Sequence, residues 1–249
     1  MSLLNTSLTN QLAELLKKMV LPVELVAYTD NSETSQKVRA LLNEVSQQSN
    51  KISIIEGEKN DNSNSIRVPS FVIRRKTKQN KSDDDNVYVT FAGLPLGHEF
   101  SSLILALLQV SGYAPKITDE QRESILKLGE HNVTTYMSVT CLNCPEVVQS
   151  LNTISIINPK IRHTAVEGSA FREEVERLGV MSVPAVFENG KLISSGRAGI
   201  DELVAILASN KKSDGNNSVS AQNAALAEKM NAQDPYDIIL VGGGPAASA

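Results

Sequence analysis

The sequence predicts an α/β protein in which one αβ unit is used twice. Three observations predict it. Apolar residues alternate along the chain between helical spacing and short β-rich runs. The order helix, strand, helix, strand, then a Val-Pro strand, a further strand and a closing helix occurs in both halves. Marker residues also recur at a near-constant offset: Tyr28 with Tyr136, Val68-Pro69 with Val183-Pro184, and Gly93 with Gly196, each glycine ahead of a closing helix.

In the first unit, residues 8–19 place Leu8, Leu12, Leu15, Leu16 and Met19 on one helical face. Residues 23–28 read as a strand. Residues 35–45 read as a helix with Val38, Leu41, Leu42 and Val45 together. Strands are expected at 51–56, 66–73 and 87–91, with the charged stretch 74–86 as a hairpin loop. A helix at 100–110 closes the unit. The second unit repeats this with a helix at 120–128, a strand at 133–137, a helix at 145–157, a strand at 161–166 and a helix at 171–178. It ends with strands at 183–187 and 192–195 around the turn Glu188-Asn189-Gly190-Lys191, then a helix at 200–208. The units are expected to span 1–115 and 116–210. Residues 211–235 read as a linker, Gly/Asn/Ser-rich at first and then a short helix at 221–230. Residues 236–249 form a buried-type strand running into Gly242-Gly243-Gly244-Pro245.

Composition narrows the function classes. Hydrophobic residues are 41% and charged residues 21%, an ordinary globular balance. Aromatics are 4% with no Trp, so the core must be mainly aliphatic. The net charge is −4 and no Lys/Arg stripe stands out, which disfavours nucleic acid and anionic membranes. No apolar run is long enough to span a bilayer, and the first residues lack the basic and apolar regions of a secretory signal. A cytoplasmic protein is expected.

Only two cysteines are present, in Cys141-Leu142-Asn143-Cys144. In a reducing compartment such a pair points to redox catalysis or metal binding rather than to a staple. A structural zinc needs about four ligands. With no second pair, and with His98, His131 and His163 at no finger-like spacing, no metal is expected. Cys141 follows a strand and Pro145 opens a helix, so the pair lies at a helix N-terminus, where the dipole favours a thiolate and lowers its pKa below about 8.5. Cys141 is then the exposed nucleophile, and Cys144, about one turn on, resolves the mixed disulfide. Val183-Pro184, entering a strand, suits a cis bond beside the thiols, leaving a backbone edge for a substrate peptide. The proton acceptor is less evident, since residues 133–140 contain no acid. Glu99, in Gly97-His98-Glu99-Phe100, is a candidate, with a helix-dipole role as its plain alternative.

The stretch Cys141-Leu142-Asn143-Cys144-Pro145-Glu146-Val147-Val148-Gln149 resembles the active centre of AhpF, the flavoprotein component of alkyl hydroperoxide reductase. The resemblance extends over residues 158–165 and 183–191, and in the first unit over 91–100. It implies two fused thioredoxin-like folds, the first without cysteines. It also implies a relay from NADH to FAD, to a cysteine pair in the flavin part, to Cys141/Cys144, and finally to the disulfide of a two-cysteine peroxiredoxin in peroxide detoxification. The alternative is a general thioredoxin- or glutaredoxin-like disulfide reductase. The resemblance places an acid at Glu99, facing the pair across the two folds, and a substrate-docking edge at Val183 and Pro184. It makes Gly242 and Gly244 the start of an FAD-binding Rossmann turn. The sequence ends at Ala249, before the helix and acid that such a site needs, so these residues are expected to bind neither FAD nor NADH and to be the amino-terminal piece of a longer enzyme, with 236–249 disordered. One departure concerns the site itself: the family more often has His where this chain has Leu142.

Overall fold

A computed structural model of the chain describes residues 3–58, 66–76 and 87–210. The first half runs α1 (Thr6–Leu16), β1 (Val23–Tyr28), α2 (Glu33–Ser46), β2 (Ile52–Glu56), β3 (Ser70–Arg75), β4 (Tyr88–Ala92), a 3-10 turn (Gly97–Glu99) and α3 (Phe100–Val110). The second runs α4 (Asp119–Leu126), β5 (His131–Met137), α5 (Cys144–Ile157), β6 (Ile161–Glu167), a 3-10 turn (Gly168–Phe171), α6 (Arg172–Arg177), β7 (Ala185–Glu188), β8 (Lys191–Ser195) and α7 (Ile200–Asn210). Helix starts are fixed by side chains that satisfy free N–H groups. Asn5 and Ser32 accept from Leu8 and Ser35, and Thr118 and Gln121 form a reciprocal capping box on α4.

The strands form one sheet in the order β2-β1-β3-β4-β6-β5-β7-β8. Each half repeats a parallel pair, β1/β2 or β5/β6, flanked by an antiparallel pair, β3/β4 or β7/β8. The halves join where β4 lies parallel to β6, pairing Thr90 with Thr164, Phe91 with Ala165 and Ala92 with Val166. The duplication holds at the level of single bonds. Val68-Pro69 and Val183-Pro184 are both cis. The N–H groups of Gly93 and Gly196, both at positive φ, donate to Pro69 and Pro184 at 2.9 and 2.8 Å.

Two strands start later than their sequence suggests, β3 at Ser70 rather than 66 and β7 at Ala185 rather than 183. A proline has no N–H to give to a ladder, so each strand begins just past it. The expected linker at 211–235 and the glycine turn with Gly242 and Gly244 lie outside the described residues.

The core crosses the join. Leu12, Val38, Leu41, Phe71, Phe91, Leu103 and Leu107 of the first half share one buried cluster with Met137, Cys144, Val148 and Ala165 of the second. A second cluster packs α4, α5 and α7 around Leu151, Ile154 and Leu203. The opposite face of the second half buries Tyr136, Val166 and Phe187 beneath residues of α6 and its approach, including Phe171 and Val175. Polar ties also bridge the halves. Arg67 grips Glu174 of α6 with Nε at 2.9 Å and Nη2 at 2.6 Å, and the Tyr136 hydroxyl donates to the same carboxylate. Arg67 holds the Glu174 carboxyl below its ordinary range, while burial pushes the Tyr136 phenol up to about 12.

Because sheet and core are continuous, the described residues up to Ser209 form one unit. Truncating Phe91, fully buried and stacked on Phe71 with ring centroids 5.6 Å apart, therefore should weaken both halves together. Phe91→Ala is expected to cost about 3–5 kcal/mol. In urea, followed by circular dichroism, wild type and variant should each show one transition; two separated transitions would refute the shared core.

Candidate active site

The cysteine pair sits where β5 hands over to α5. Beyond Met137 the loop turns at residues 138–143, and the Cys141 N–H donates to the Ser138 carbonyl. Cys144 and Pro145 open α5, with Asn143 at the cap position. Asn143 supplies no side-chain cap. Instead the Cys144 N–H donates to Cys141 Sγ at 3.1 Å, so sulfur does the capping. A thiolate there would accept that bond and face the positive end of a 14-residue helix, both of which favour the anion.

The two sulfurs are joined as a disulfide, with the Cα atoms 5.5 Å apart. Their surroundings differ. Cys141 is half-buried and its Sγ lies 3.7 Å from the Val183 carbonyl, immediately before cis-Pro184. Cys144 is buried in the core cluster shared by both halves. Next to Cys141 in the chain, Leu142 is 78% exposed, and Met181, two residues before Val183, is 94% exposed. Nothing in the sequence pattern singles out Met181.

Glu99 lies in the 3-10 turn of the first half. This turn packs against α5 and is clamped to the loop preceding Cys141, where the His98 N–H donates to the Val139 carbonyl at 3.0 Å. Gly97 is required at this crossing, because a Cβ there would lie 2.4 Å from the Val139 oxygen, and its φ is +58°. The Glu99 residue is 0% exposed, and neither carboxylate oxygen has a hydrogen bond of ordinary geometry. Glu99 occupies the cap position of α3 without a side-chain capping bond. Removal from water pushes its pKa up to about 7, and the Ser102 hydroxyl one turn along α3 draws it partly back. Such a carboxyl changes charge near neutrality, as a general base at that pH must.

The histidines lie elsewhere. His163 is buried and neutral, its pKa lowered to about 3 by desolvation, with Nε2 2.9 Å from Thr135 Oγ1 and Nδ1 2.7 Å from Asn152 Oδ1. His131 Nδ1 meets Glu188 Oε1, while His98 is exposed. Glu146, just past the pair, is engaged by Arg197. Among the described residues no three His, Cys, Asp or Glu side chains gather as a metal site, and no helix is long and apolar enough to cross a membrane.

Comparison with known proteins agrees with this geometry. A thioredoxin domain family matches residues 131–208, the half with the cysteines. Over 248 residues, 99% of the chain, the sequence is 40% identical to the alkyl hydroperoxide reductase component AhpF of Escherichia coli K12 and 38% identical to that of Pseudomonas putida. The chain belongs to the AhpF family of alkyl hydroperoxide reductases. It spans 43% of the length of each of these two relatives. The solved NTD_N/C domain of alkylhydroperoxide reductase AhpF from Enterococcus faecalis superposes with a TM-score of 0.73 at 26% identity, covering 82% of this chain and 99% of that one. A protein disulfide oxidoreductase from Aeropyrum pernix shares the fold, with a TM-score of 0.70 at 22% identity and coverage of 87% and 97%. Two fused thioredoxin-like folds, of which only the second holds a disulfide, are thus the architecture of this family member.

Two outcomes follow for this AhpF family member. Glu99→Gln removes a carboxyl whose folded-state pKa is raised, so wild-type stability falls as pH rises from about 4.5 towards about 7 and the variant's does not. Above neutrality the variant should be the more stable by up to about 3 kcal/mol, with little difference in acid, as read from urea midpoints across pH. Leu142→His sets a potentially cationic ring beside Cys141 and should lower the pH at which that thiol alkylates. Unchanged alkylation would exclude residue 142 as a control on the thiolate.

Proposed function

We propose that the chain is an electron-transfer module whose Cys141/Cys144 dithiol reduces the disulfide of a two-cysteine peroxiredoxin. The observation that carries this reading is the asymmetry of the pair, one sulfur reachable beside the Val183 backbone and the other buried in the core that both halves share. The Cys141 thiolate attacks one sulfur of the partner disulfide. A mixed disulfide forms and the partner's other sulfur leaves as thiolate. The buried Cys144 thiol gives its proton to Glu99, and its thiolate attacks Cys141 Sγ, releasing the partner's second thiolate. Cys141 and Cys144 end joined, the partner gains one thiol, protonated from Glu99, and one thiolate, which takes its proton from water. Val183 and Pro184 offer the backbone edge along which an extended partner segment lies.

Recharging needs a dithiol donor. The resemblance of the sequence supports a flavin-dependent one, with FAD reduced by NADH. Gly242 and Gly244, the residues that would open the flavin site, lie outside the described residues. A general protein disulfide reductase remains the alternative, favoured by the fold shared with the Aeropyrum pernix oxidoreductase.

The test mixes the fully reduced chain with an oxidised two-cysteine peroxiredoxin and follows thiols by labelling and mass spectrometry. Transfer of the disulfide to Cys141–Cys144 is expected, with none for Cys141→Ser and a trapped mixed disulfide for Cys144→Ser. Reduction of small disulfides without transfer from the peroxiredoxin would select the general reductase.

A further inference from the structure

A wholly buried carboxyl that takes a proton in each turnover must be held in place. The described structure contains a candidate for that task, and it spans the two halves. Gln149, half-buried on α5, donates through Nε2 to Ser101 Oγ at 3.1 Å and to Ser102 Oγ at 3.3 Å. Ser102 is fully buried, three residues after Glu99 at the start of α3. Its oxygen already accepts from Gln149, and no other hydrogen bond is made by this hydroxyl among the described residues. Its proton is therefore free to point back over the preceding turn, where Glu99 offers two oxygens without an ordinary partner. Ser101 is exposed and donates to the His98 carbonyl. Gln149 thus ties the buried Ser102 to the exposed Ser101 across the join of the two halves.

We propose that Ser102 and Gln149 are positioning residues for Glu99, the Gln149 amide orienting the Ser102 hydroxyl so that it turns its proton towards the carboxylate. This rests on the reading of Glu99 as acceptor of the Cys144 proton. It adds that the acid is tuned by a residue from each half, with Gln149 on the same helix that Cys144 opens. Hydrogen bonding to the charged form of an acid favours that form. Ser102 is the group that draws the carboxyl back towards ionisation, against burial. Few other charges intervene. Besides Cys144, α5 brings Glu146 in its first turn, which is engaged by Arg197; α3 and the 138–143 loop carry no charged side chain, and the turn itself adds only exposed His98.

The experiment uses the full chain and two readouts. The Glu99 side-chain carboxyl is titrated by carbon NMR, and the resolving step is isolated as release of the second thiol from a small aromatic disulfide, across pH. Ser102→Ala should raise both midpoints by roughly one pH unit. Gln149→Ala should move them the same way by less, Ser102→Thr should restore the wild-type profile, and Glu99→Gln should abolish the pH-dependent limb. Gln149→Ala, at a half-buried site, keeps the test alive if Ser102→Ala fails to fold. If Glu99→Gln removes the limb while Ser102→Ala and Gln149→Ala leave both midpoints in place, Glu99 stands as acceptor and the positioning role is overturned. If Glu99→Gln leaves the rate profile unchanged, the acceptor reading falls, and the positioning role in catalysis falls with it.

Discussion

The parallel pairing of β4 with β6 decides what the second half can do. A single thioredoxin-like unit would end at exposed strand edges, whose free N–H and C=O groups invite pairing. Here one edge of each unit is spent on the other, and the side chains on the helical face of that join merge into one core containing Cys144. The same pairing sets α3 beside α5 and brings the turn ahead of α3 over the loop ahead of the cysteines. The half without a thiol therefore delivers the turn that carries Glu99 against the loop ahead of the cysteines.

That delivery has a cost in stability, which indicates that the position of Glu99 is not incidental. A buried acid without a full set of hydrogen bonds opposes folding whenever it is ionised. The chain nonetheless has Gly97 where the turn crosses the Val139 carbonyl, a position at which a Cβ would push the turn away. Two local features that each look unfavourable, a glycine beside a helix start and a buried acid, become consistent once both are read as requirements of the same crossing.

Much of the fold was legible in the sequence, and the reasons for the remainder are physical. Periodicity marked nearly every helix and strand, because helical and strand spacings expose different residues to the same core. The marker pairs, Tyr28 with Tyr136 and Gly93 with Gly196, disclosed the duplication because each fills the same place twice. The strand order and the register of the join were not legible, since pairing partners distant in sequence leave no local signal. The cysteine pair and Val183-Pro184 announced the site by residue type and spacing. The Gln149, Ser101 and Ser102 bonds could not be seen, because glutamine and serine on helices are ordinary surface residues until two helices meet. Met181 is the opposite case: only its exposure, two residues before Val183, distinguishes it from a core methionine.

The sulfur cap on α5 connects redox state to structure. In the disulfide, Cys141 Sγ accepts from the Cys144 N–H and so satisfies a group that Asn143 leaves uncapped. A thiolate at Cys141 would be a stronger acceptor of the same bond. Burial of Cys144 in the apolar core favours a neutral thiol there. The division between a half-buried sulfur at the helix start and a sulfur sealed in the core follows from one fact: the cysteines straddle the first turn of a helix whose inner face is already part of the core.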